Sequence, residues 1–326
     1  MKAAIRTVYG PPDVIQLKEV ERPTPNDNQV LVKVHAASLN KTDWHDLGTS
    51  LPLRLIGGGG VRKPKNTRLG SDVAGRVEAV GRNVKQFQPG DEVFGDASGS
   101  LAEFVCARED RLALKPANVT FEEAAAVGIA AITALQGLRD KAQVKPGQRV
   151  LIEGASGGVG TFAVQIAKSF GTEVTAVCST GNLENARMMG ADHVIDYTQE
   201  DFAKNGQTYD LILAVNGYRS ILSYGRALSP KGMYVMVGSS KPLTGILQTV
   251  LLGPLISRKD GKRLGFMGIA KLNQKDLLFL KELLEAGKIK PMIDRRYPFS
   301  ETAEAFRYLG EGHARGKVVV TMKPEA

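Results

Sequence analysis

Residues 149–171 read RVLIEGASGGVGTFAVQIAKSFG, and this stretch decides how the rest of the sequence is interpreted. A short apolar run at 150–152 leads into a glycine-rich turn. After the turn, apolar residues recur with the period of a helix, at Val159, Phe162, Ala163, Ile166, Ala167 and Phe170. Gly171 stands where such a helix would end. The pattern therefore predicts a strand, a tight turn and a helix.

The glycine turn indicates a binding site for a dinucleotide. Glycines carry no Cβ, so main-chain N–H groups at the helix start can approach a pyrophosphate, whose charge the helix dipole favours. The dinucleotide fingerprint is G-x-G-x-x-G, and this sequence matches it with Ala at the first position. A ligand-free glycine turn is the alternative, but the flanking strand and helix favour the dinucleotide. The predicted contacts are Ala155, Ser156, Gly157, Gly158, Val159 and Gly160.

The end of the next predicted strand indicates which dinucleotide is bound. A site for NAD has Asp or Glu about 20 residues beyond the turn, where it binds the ribose 2′-hydroxyl. This sequence has Ser179, Thr180 and Gly181 instead, and the two hydroxyls can donate to a 2′-phosphate. The coenzyme predicted is therefore NADPH. Tyr197, after the third strand, is a candidate for the adenine side, and a partly buried structural tyrosine is the alternative.

The composition is that of an ordinary soluble globular chain. Its 326 residues, 43% hydrophobic and 24% charged, suit one large or two medium domains. Two cysteines are too few for a disulfide framework and fit a reducing compartment. With no signal peptide and no long apolar run, we expect a cytoplasmic protein. The net charge of +9 suits an anionic coenzyme, and leaves nucleic acid and a membrane surface open.

The first 120 residues predict a β-rich domain. Alternating apolar residues at Val30–Val34, Gly70–Val80 and Ala102–Cys106 are typical of half-buried strands. Proline and glycine turns separate them. Many short strands of this kind predict a partly open barrel.

Six segments along the chain together resemble the medium-chain dehydrogenase/reductase superfamily, and within it the zinc-free quinone oxidoreductase branch. They are VKVHAASLNKTDWH, LGSDVAGRVEAVGRNVKQFQPGDEVFG, VGIAAITALQG, GASGGVG, MGADHVIDY and ARGKVVVTM. The resemblance implies an α/β protein with a Rossmann domain, a doubly wound parallel sheet, at residues 122–269. It also implies a GroES-like, partly open barrel as the catalytic domain, formed by residues 1–121 and 270–326, with the active site in the cleft between the two.

The same resemblance allows the question of zinc to be examined. A catalytic zinc needs three protein ligands such as Cys, His and Glu. In zinc-dependent relatives these come from a Cys near the position of Leu39 and Asn40, and from a Gly-His-Glu segment that here reads Gly70-Ser71-Asp72. The four histidines of the chain are scattered: His35, His45, His193 and His313. The sequence therefore predicts no metal.

Without a Lewis acid to polarise a carbonyl, the sequence favours hydride delivery to an acceptor that is already electron-poor, such as a quinone or an enone. The resemblance places Asn40 beside the nicotinamide, where it would stabilise charge on the acceptor oxygen; a turn asparagine is the alternative. Asp43 is expected to fix the loop. His45 is a candidate proton relay, with a surface or structural histidine, and protonation by water, as alternatives.

Four further residues complete the predicted coenzyme site. The resemblance implies that Thr133 lies near the nicotinamide, and that Lys317 reaches the pyrophosphate unless it is an exposed, solvated lysine. Asn216 and Gly238 follow apolar strands, whose carboxyl ends face the coenzyme in a doubly wound sheet. The family usually has Asp where Asn216 stands.

Two segments remain open to more than one interpretation. Residues 51–69 are basic and glycine-rich, which favours a solvated loop over contact with nucleic acid. Residues 241–263 combine a short apolar stretch with basic residues, and we rank a lid or a dimer contact above an interfacial membrane segment. Leu264–Ile269 should then be the last strand of the coenzyme domain, before the chain returns to the first domain.

The hypothesis from the sequence is a homodimeric, NADPH-dependent reductase of small quinones or α,β-unsaturated carbonyl compounds. A thioester-linked enoyl reductase shares the hydride chemistry and is a second hypothesis. A nucleotide-fold protein that binds RNA or a membrane surface is a third, motivated by the positive charge; nucleic acid is the disfavoured partner.

Overall fold

The computed structural model describes residues 1–48, 63–239, 244–245, 247–249, 251–253 and 261–322. The chain forms two compact units. The first comprises Met1–Ala130, Leu272–Gly287 and Pro291–Ala326, and the second comprises Ala131–Lys271 and Lys288–Lys290. The domain bounds inferred from the sequence stay predictions.

The strands and helices of the described residues are named in chain order. The strands are β1 Lys2–Ile5, β2 Gln16–Glu19, β3 Gln29–Leu39, β4 Asp72–Val80, β5 Glu92–Asp96, β6 Phe104–Arg108, β7 Leu112–Leu114, β8 Arg149–Glu153, β9 Glu173–Cys178, β10 His193–Asp196, β11 Tyr209–Ala214, β12 Leu228–Met236, β13 Arg263–Phe266, β14 Ile293–Pro298 and β15 Lys317–Thr321. The helices are α1 Lys41–Gly48, α2 Phe121–Ala125, α3 Gly128–Leu135, α4 Gly158–Ser169, α5 Leu183–Met188, α6 Ile221–Ala227, α7 Gln274–Glu285 and α8 Thr302–Glu311.

The first unit is built on a seven-stranded, mostly antiparallel sheet. Its strand order is β14-β15-β3-β4-β5-β7, and β6 joins by pairing with β3. The valines of β3 alternate into a buried core, as the sequence pattern predicts: Val30, Val32 and Val34 are at most 3% exposed. The β-rich, GroES-like character of this unit is thereby confirmed.

The register of three neighbouring strands brings four polar residues together at one end of this sheet. β3 and β15 are antiparallel and paired so that Asn40, just after β3, lies beside Lys317, the first residue of β15. On the other side of β3, Ser38 lies opposite Asp72, the first residue of β4. Residues far apart in the sequence thus meet at one position.

The second unit contains a six-stranded parallel sheet with the order β10-β9-β8-β11-β12-β13. The strands adjacent to β8 are β9, which follows it in the sequence, and β11, so the order reverses there. This is the topological switch point at which doubly wound sheets bind ligands. Central residues such as Leu151, Ile152 and Ile212 are fully buried. The Rossmann prediction is confirmed, with β13 as the last strand in the order.

Two segments, 51–69 and 241–263, were left with more than one interpretation, and parts of both lie outside the described residues. These parts are 51–62 of the first segment, and 241–243, 246, 250 and 254–260 of the second. Their interpretations, as a solvated loop and as a lid or dimer contact, stay predictions. In the part of the chain that the structure describes, every helix falls short of the length and apolar character needed to cross a bilayer.

Candidate functional site

The predicted glycine turn joins β8 to the amino end of α4. Gly154 has φ +80°, a left-handed conformation that favours glycine. Gly157 is the N-cap, and the first turn of α4 contains no acidic residue. The first helical hydrogen bond of α4 runs from the Thr161 N–H to the Gly157 carbonyl at 2.9 Å. The N–H groups of residues 158–160 therefore have no acceptor within the helix, and they suit a diphosphate.

Two glycines of the turn have different tasks. A Cβ on Gly160 would lie 2.1 Å from the Gly154 carbonyl oxygen, so only glycine allows the helix to pack against the turn. A Cβ on Gly157 would meet nothing closer than 3.7 Å, so the space beside it is open to a ligand. The dinucleotide fingerprint assigns ligand approach to its second glycine and close packing to its third. The residues present fit a dinucleotide.

The prediction that the Ala155 amide donates to the diphosphate is wrong. Its N–H donates to the Val177 carbonyl at 3.1 Å, and its side chain is fully buried. The Gly157 N–H is similarly used, by the Gly154 carbonyl at 3.2 Å. Ala155 therefore packs the turn against the sheet. The donors that remain are the amides of residues 158–160, next to the half-buried Ser156.

Asn216 and Gly238 lie just beyond the carboxyl ends of β11 and β12. A Cβ on Gly154 would be 3.0 Å from the backbone nitrogen of Asn216, so the glycine turn and this loop are in contact. The Gly217 N–H donates to the Gly238 carbonyl at 3.1 Å. These predicted residues therefore lie along one edge of the second unit. Thr133 is a half-buried residue of α3, and its place near the nicotinamide stays a prediction.

The corner expected to bind the ribose contains a carboxylate that the sequence analysis missed. Thr180 was predicted to donate to a 2′-phosphate, but its hydroxyl donates to Asp196 at 2.5 Å. Ser179 accepts from the Asn182 carboxamide at 2.9 Å and so keeps its own proton. The sequence analysis found only Ser179, Thr180 and Gly181 where an NAD site has its acid. That interpretation is wrong, because Asp196 reaches this strand end from the neighbouring strand.

Tyr197 follows β10 and is 47% exposed, more than a partly buried structural tyrosine. Its N–H donates to the Cys178 carbonyl at 3.1 Å, and its ring lies 5.9 Å from the ring of Tyr218, which is also 47% exposed. Two exposed rings at the ends of β10 and β11 suit contact with a flat base.

A network of ionisable side chains lies at the carboxyl ends of β8 and β11 in the second unit. Glu153, the last residue of β8, is 1% exposed and accepts from the Tyr224 hydroxyl at 2.6 Å. Its other oxygen lies 3.8 Å from the Arg219 guanidinium, which also pairs with Asp201. Burial raises the pKa of Glu153 to about 7. Because the Tyr224 hydroxyl also accepts the Arg219 N–H at 3.3 Å, this network holds the loop after β11.

In the first unit, the side chain of Asn40 is held in one orientation. Its oxygen accepts from the Lys317 ammonium at 2.6 Å, and its nitrogen donates to Asp72 at 2.9 Å. A lysine can only donate and a carboxylate can only accept, so the carboxamide cannot be turned over. Asn40 is 8% exposed. The alternative of a turn asparagine bonded to local backbone is not what its side chain does.

Asp72 is the centre of this cluster, and the sequence analysis considered it only as a lost zinc ligand. It is fully buried, and it accepts from Asn40, from the Ser38 hydroxyl at 2.9 Å, from Lys317 at 3.2 Å and from the Ile129 N–H at 2.8 Å. A charged residue at the start of an apolar strand was the available signal.

Asp72 also accounts for the break between the two helices that follow β7. The Ile129 N–H is taken by its carboxylate instead of a helical carbonyl, and a Cβ on Gly128 would lie 2.2 Å from its Oδ1. The chain therefore ends α2 at Ala125 and begins α3 at Gly128.

Lys317 has other partners than the predicted pyrophosphate. Its side chain is 2% exposed, and its ammonium contacts Asn40 and Asp72. The alternative of an exposed, solvated lysine is therefore wrong. The contact with Asn40 joins residues 277 apart in the sequence, which no local pattern indicates.

Asp43 fixes the start of α1, as expected. Its carboxylate accepts the Asn40 N–H at 2.7 Å and the Ser71 hydroxyl at 3.0 Å. Burial, and then the nearby charge of Asp72, raise the pKa of Asp43 to about 7. Asp43 therefore holds its proton more tightly than an exposed aspartate does.

His45 stands apart from these hydrogen bonds. It is half-buried in α1, with its ring edge-on to Trp44 at 5.5 Å. Burial, and then the charge of Lys41, lower its pKa, so it is neutral at pH 7. A proton relay through His45 stays a prediction.

Among the residues that the structure describes, no three His, Cys, Asp or Glu side chains are grouped as metal ligands are. The carboxylates of Asp43 and Asp72 are instead occupied by N–H and O–H donors of the chain. These residues do not fit a catalytic zinc site, which takes three ligands such as Cys, His or Glu.

Comparison with known proteins agrees with this architecture. The family model of the alcohol dehydrogenase GroES-like domain matches residues 26–117, and that of zinc-binding dehydrogenases matches residues 189–320. A 2-methylene-furan-3-one reductase from Solanum lycopersicum is 38% identical over 335 residues, which cover 98% of this chain and 79% of that protein. The chain belongs to the medium-chain dehydrogenase/reductase superfamily, in its zinc-free quinone oxidoreductase branch.

Other members of the superfamily are similar along the whole chain. A chloroplastic NADPH-dependent alkenal/one oxidoreductase from Arabidopsis thaliana is 34% identical over 98% of this chain and 79% of its own. The solved quinone oxidoreductase from Coxiella burnetii superposes with a TM-score of 0.84 at 30% identity, covering 99% of both chains. The CurK enoyl reductase superposes with a TM-score of 0.87 at 29% identity, again covering 99% of both.

Proposed function

We propose that this protein is an NADPH-dependent reductase that transfers hydride to quinones or α,β-unsaturated carbonyl compounds without zinc. The observation that carries the proposal is the fixed carboxamide of Asn40, held by Lys317 and Asp72. Relatives named as an alkenal/one oxidoreductase, a methylene-furanone reductase and a quinone oxidoreductase support the same chemistry.

The coenzyme supplies a hydride from C4 of its reduced nicotinamide, and the chain binds and orients it. The amides of residues 158–160 bind the diphosphate at the amino end of α4. The open space beside Gly157 lets the diphosphate approach the backbone. Asn216 and Gly238, at the ends of their strands, line the nicotinamide side.

Asn40 stabilises the charge that develops on the acceptor oxygen. A carboxamide nitrogen carries two N–H groups, and Asp72 takes one of them at 2.9 Å. The second N–H is left to donate to an oxyanion. Because Lys317 and Asp72 hold the group before any substrate arrives, no reorganisation is needed when the charge forms. Removing such a donor typically costs about 100-fold or more in kcat.

The proton that completes the product comes from solvent in this proposal. Burial lowers the pKa of His45, and the two oxygens of the buried Asp43 carboxyl accept from the Asn40 N–H and the Ser71 hydroxyl. A half-buried neutral ring and a buried carboxyl with both oxygens occupied are poorly placed to deliver a proton, which leaves water in an open site as the donor. Asp43 therefore acts through the loop that carries Asn40.

The test is NADPH consumption, followed at the coenzyme absorbance, with a panel of quinones, enals and enones. The expected result is turnover of at least one class, and no turnover of a saturated ketone. An Asn40→Ala variant that binds NADPH normally but reduces the acceptor at the wild-type rate would refute the role of Asn40. Turnover of none of the panel would refute the proposal.

An enoyl thioester reductase is a second candidate, because the CurK enoyl reductase superposes over 99% of both chains. The hydride chemistry is the same, and only the acceptor differs. Adding an enoyl-CoA and its free enone to the panel separates the two. A kcat/KM for the thioester far above that of the enone favours the second candidate.

We also propose a homodimer located in the cytoplasm. β13 lies at one end of the strand order of the second unit, and Gly253 lies against its Leu264. Leu247 and Leu251, shortly before Gly253 in the sequence, are 57% and 60% exposed, which supports association of two copies. Light scattering on the purified protein tests the dimer, and cell fractionation tests the location. Binding to RNA, the disfavoured partner, or to anionic vesicles stays an alternative hypothesis, and the salt dependence of any such binding tests it.

A further inference from the structure

The ends of β9 and β10 form a corner with one fixed carboxylate. Asp196 lies opposite Cys178, the last residue of β9, in the parallel register. One of its oxygens accepts the Thr180 hydroxyl at 2.5 Å, and the other accepts the Thr198 hydroxyl at 2.7 Å and the Thr198 N–H at 2.9 Å. The carboxylate is therefore held at the end of β9 although it belongs to β10.

This corner is where a dinucleotide site distinguishes its coenzymes. In doubly wound sheets, an acid at the end of the second strand binds the ribose 2′-hydroxyl of NAD, whereas sites for NADP place a cation near the 2′-phosphate. In this chain β9 is that second strand, and β10 supplies the acid from the side. Counting residues from the glycine turn does not reveal it.

Asp196 carries its charge at working pH. The hydrogen bond from Thr180, and then those from Thr198, lower its pKa. The charge also acts at the end of β9, because after burial it is the next cause that raises the pKa of the Cys178 thiol to about 11. A phosphate placed beside Ser179 would experience the same negative charge.

The polar neighbours of Asp196 do not act alike. Thr180 gives its proton to Asp196, so that proton does not serve a phosphate. Ser179 accepts from Asn182 at 2.9 Å and keeps its proton to donate. Arg187 is a cation on α5 whose charge also reaches Cys178, but its guanidinium lies 3.6 Å from Glu184 and is 55% exposed. Its guanidinium is therefore engaged in an exposed ion pair within α5.

We propose that Asp196 determines coenzyme specificity. Its carboxylate repels a 2′-phosphate and accepts a 2′-hydroxyl, so the enzyme binds NADH alongside NADPH, while Ser179 donates to the phosphate. This inference rests on the proposed function, because it requires a nicotinamide dinucleotide in the second unit.

The test measures the dissociation constants of NADPH and NADH by coenzyme fluorescence, with the full-length protein and no acceptor. Asp196→Asn should shift the ratio of the two constants about tenfold toward NADPH, because it removes a unit charge beside a dianion and releases the Thr180 proton. Ser179→Ala should shift the ratio in the opposite direction. The gain from Asp196→Asn should shrink at about 0.5 M salt, where charges are screened within a few ångströms.

The matched control is Glu173→Gln, at the amino end of the neighbouring strand β9, where Glu173 pairs with His193 at 2.9 Å. It removes the same charge, and should leave the ratio unchanged. Asp196→Ser serves if the asparagine variant does not fold. A ratio within about twofold of wild type for Asp196→Asn, or an equal shift from Glu173→Gln, overturns the inference. Failure to reduce any acceptor would leave these constants measurable, and would count against the proposed function alone.

Discussion

Replacing Lys317 by methionine tests whether the buried cluster sets up Asn40. The Lys317 ammonium lies 3.2 Å from Asp72, and the two side chains are 2% and 0% exposed. Removing one partner of such a pair leaves the other charge buried and uncompensated, which costs about 3–5 kcal/mol. Replacing both, as Lys317→Met with Asp72→Asn, removes both charges. The double variant should therefore be more stable than the sum of the single changes predicts, by about 2 kcal/mol or more.

The single variant Lys317→Met should also lower kcat, because Asn40 loses the donor that fixes its oxygen. We expect a fall of about 10- to 100-fold in kcat per folded enzyme, with the dissociation constant of NADPH unchanged. Urea unfolding gives the free energies, and steady-state kinetics gives kcat and KM. The control is Lys115→Met: this lysine is also buried, at 6% exposure, and pairs with Glu92 at 3.1 Å in the same unit. It should lower stability and leave kcat unchanged. Additive stability changes, or a normal kcat in Lys317→Met, would refute the reasoning.

Three further predictions concern single positions. Asn40→Ala should lower kcat by about 100-fold without weakening NADPH binding, as measured by stopped-flow kinetics and fluorescence titration. Gly160→Ala should abolish NADPH binding and lower the melting temperature, because its Cβ would lie 2.1 Å from the Gly154 carbonyl oxygen. Gly157→Ala should leave the melting temperature unchanged, because its Cβ would meet nothing closer than 3.7 Å. Burial raises the pKa of Glu153 to about 7, so the folded state holds this proton more tightly than the unfolded state does. The contribution of Glu153 to the free energy of unfolding therefore falls as the pH rises from about 4.5 to 7. Glu153→Gln should remove up to about 3 kcal/mol of that pH dependence in urea titrations at pH 5 and 7.5, and an unchanged slope would show that burial does not control this group.

The fold was largely readable from the sequence because its signals are local. The strand, turn and helix around the glycines follow from apolar period and from residues that lack a Cβ. The different tasks of Gly157 and Gly160 follow the fingerprint, and the structure confirms the doubly wound sheet around them.

The parts of the site that sequence reasoning missed depend on the pairing of distant strands. Asp196 reaches the ribose corner only because β10 runs parallel to β9 in a particular register. Asp72 meets Lys317 across 245 residues, and its carboxylate accepts the Ile129 N–H where α3 begins. The N–H of Ala155 points to the sheet because it donates to the Val177 carbonyl, and composition does not indicate this hydrogen bond. Register across a sheet is set by the hydrophobic pattern of both strands and by turn geometry together, so the local pattern of one strand does not reveal which distant residues meet.

The position of β15 has a consequence for synthesis on the ribosome. This strand inserts between β14 and β3, yet it is made after the whole of the parallel sheet in the second unit. The parallel sheet can therefore fold while translation continues. Until β15 is made, the edge of β3 that pairs with it exposes its unpaired amides to other chains. A nascent chain released before residue 317 would retain a complete nucleotide fold and lack the oriented carboxamide, and it would offer that open strand edge to aggregation or to chaperones.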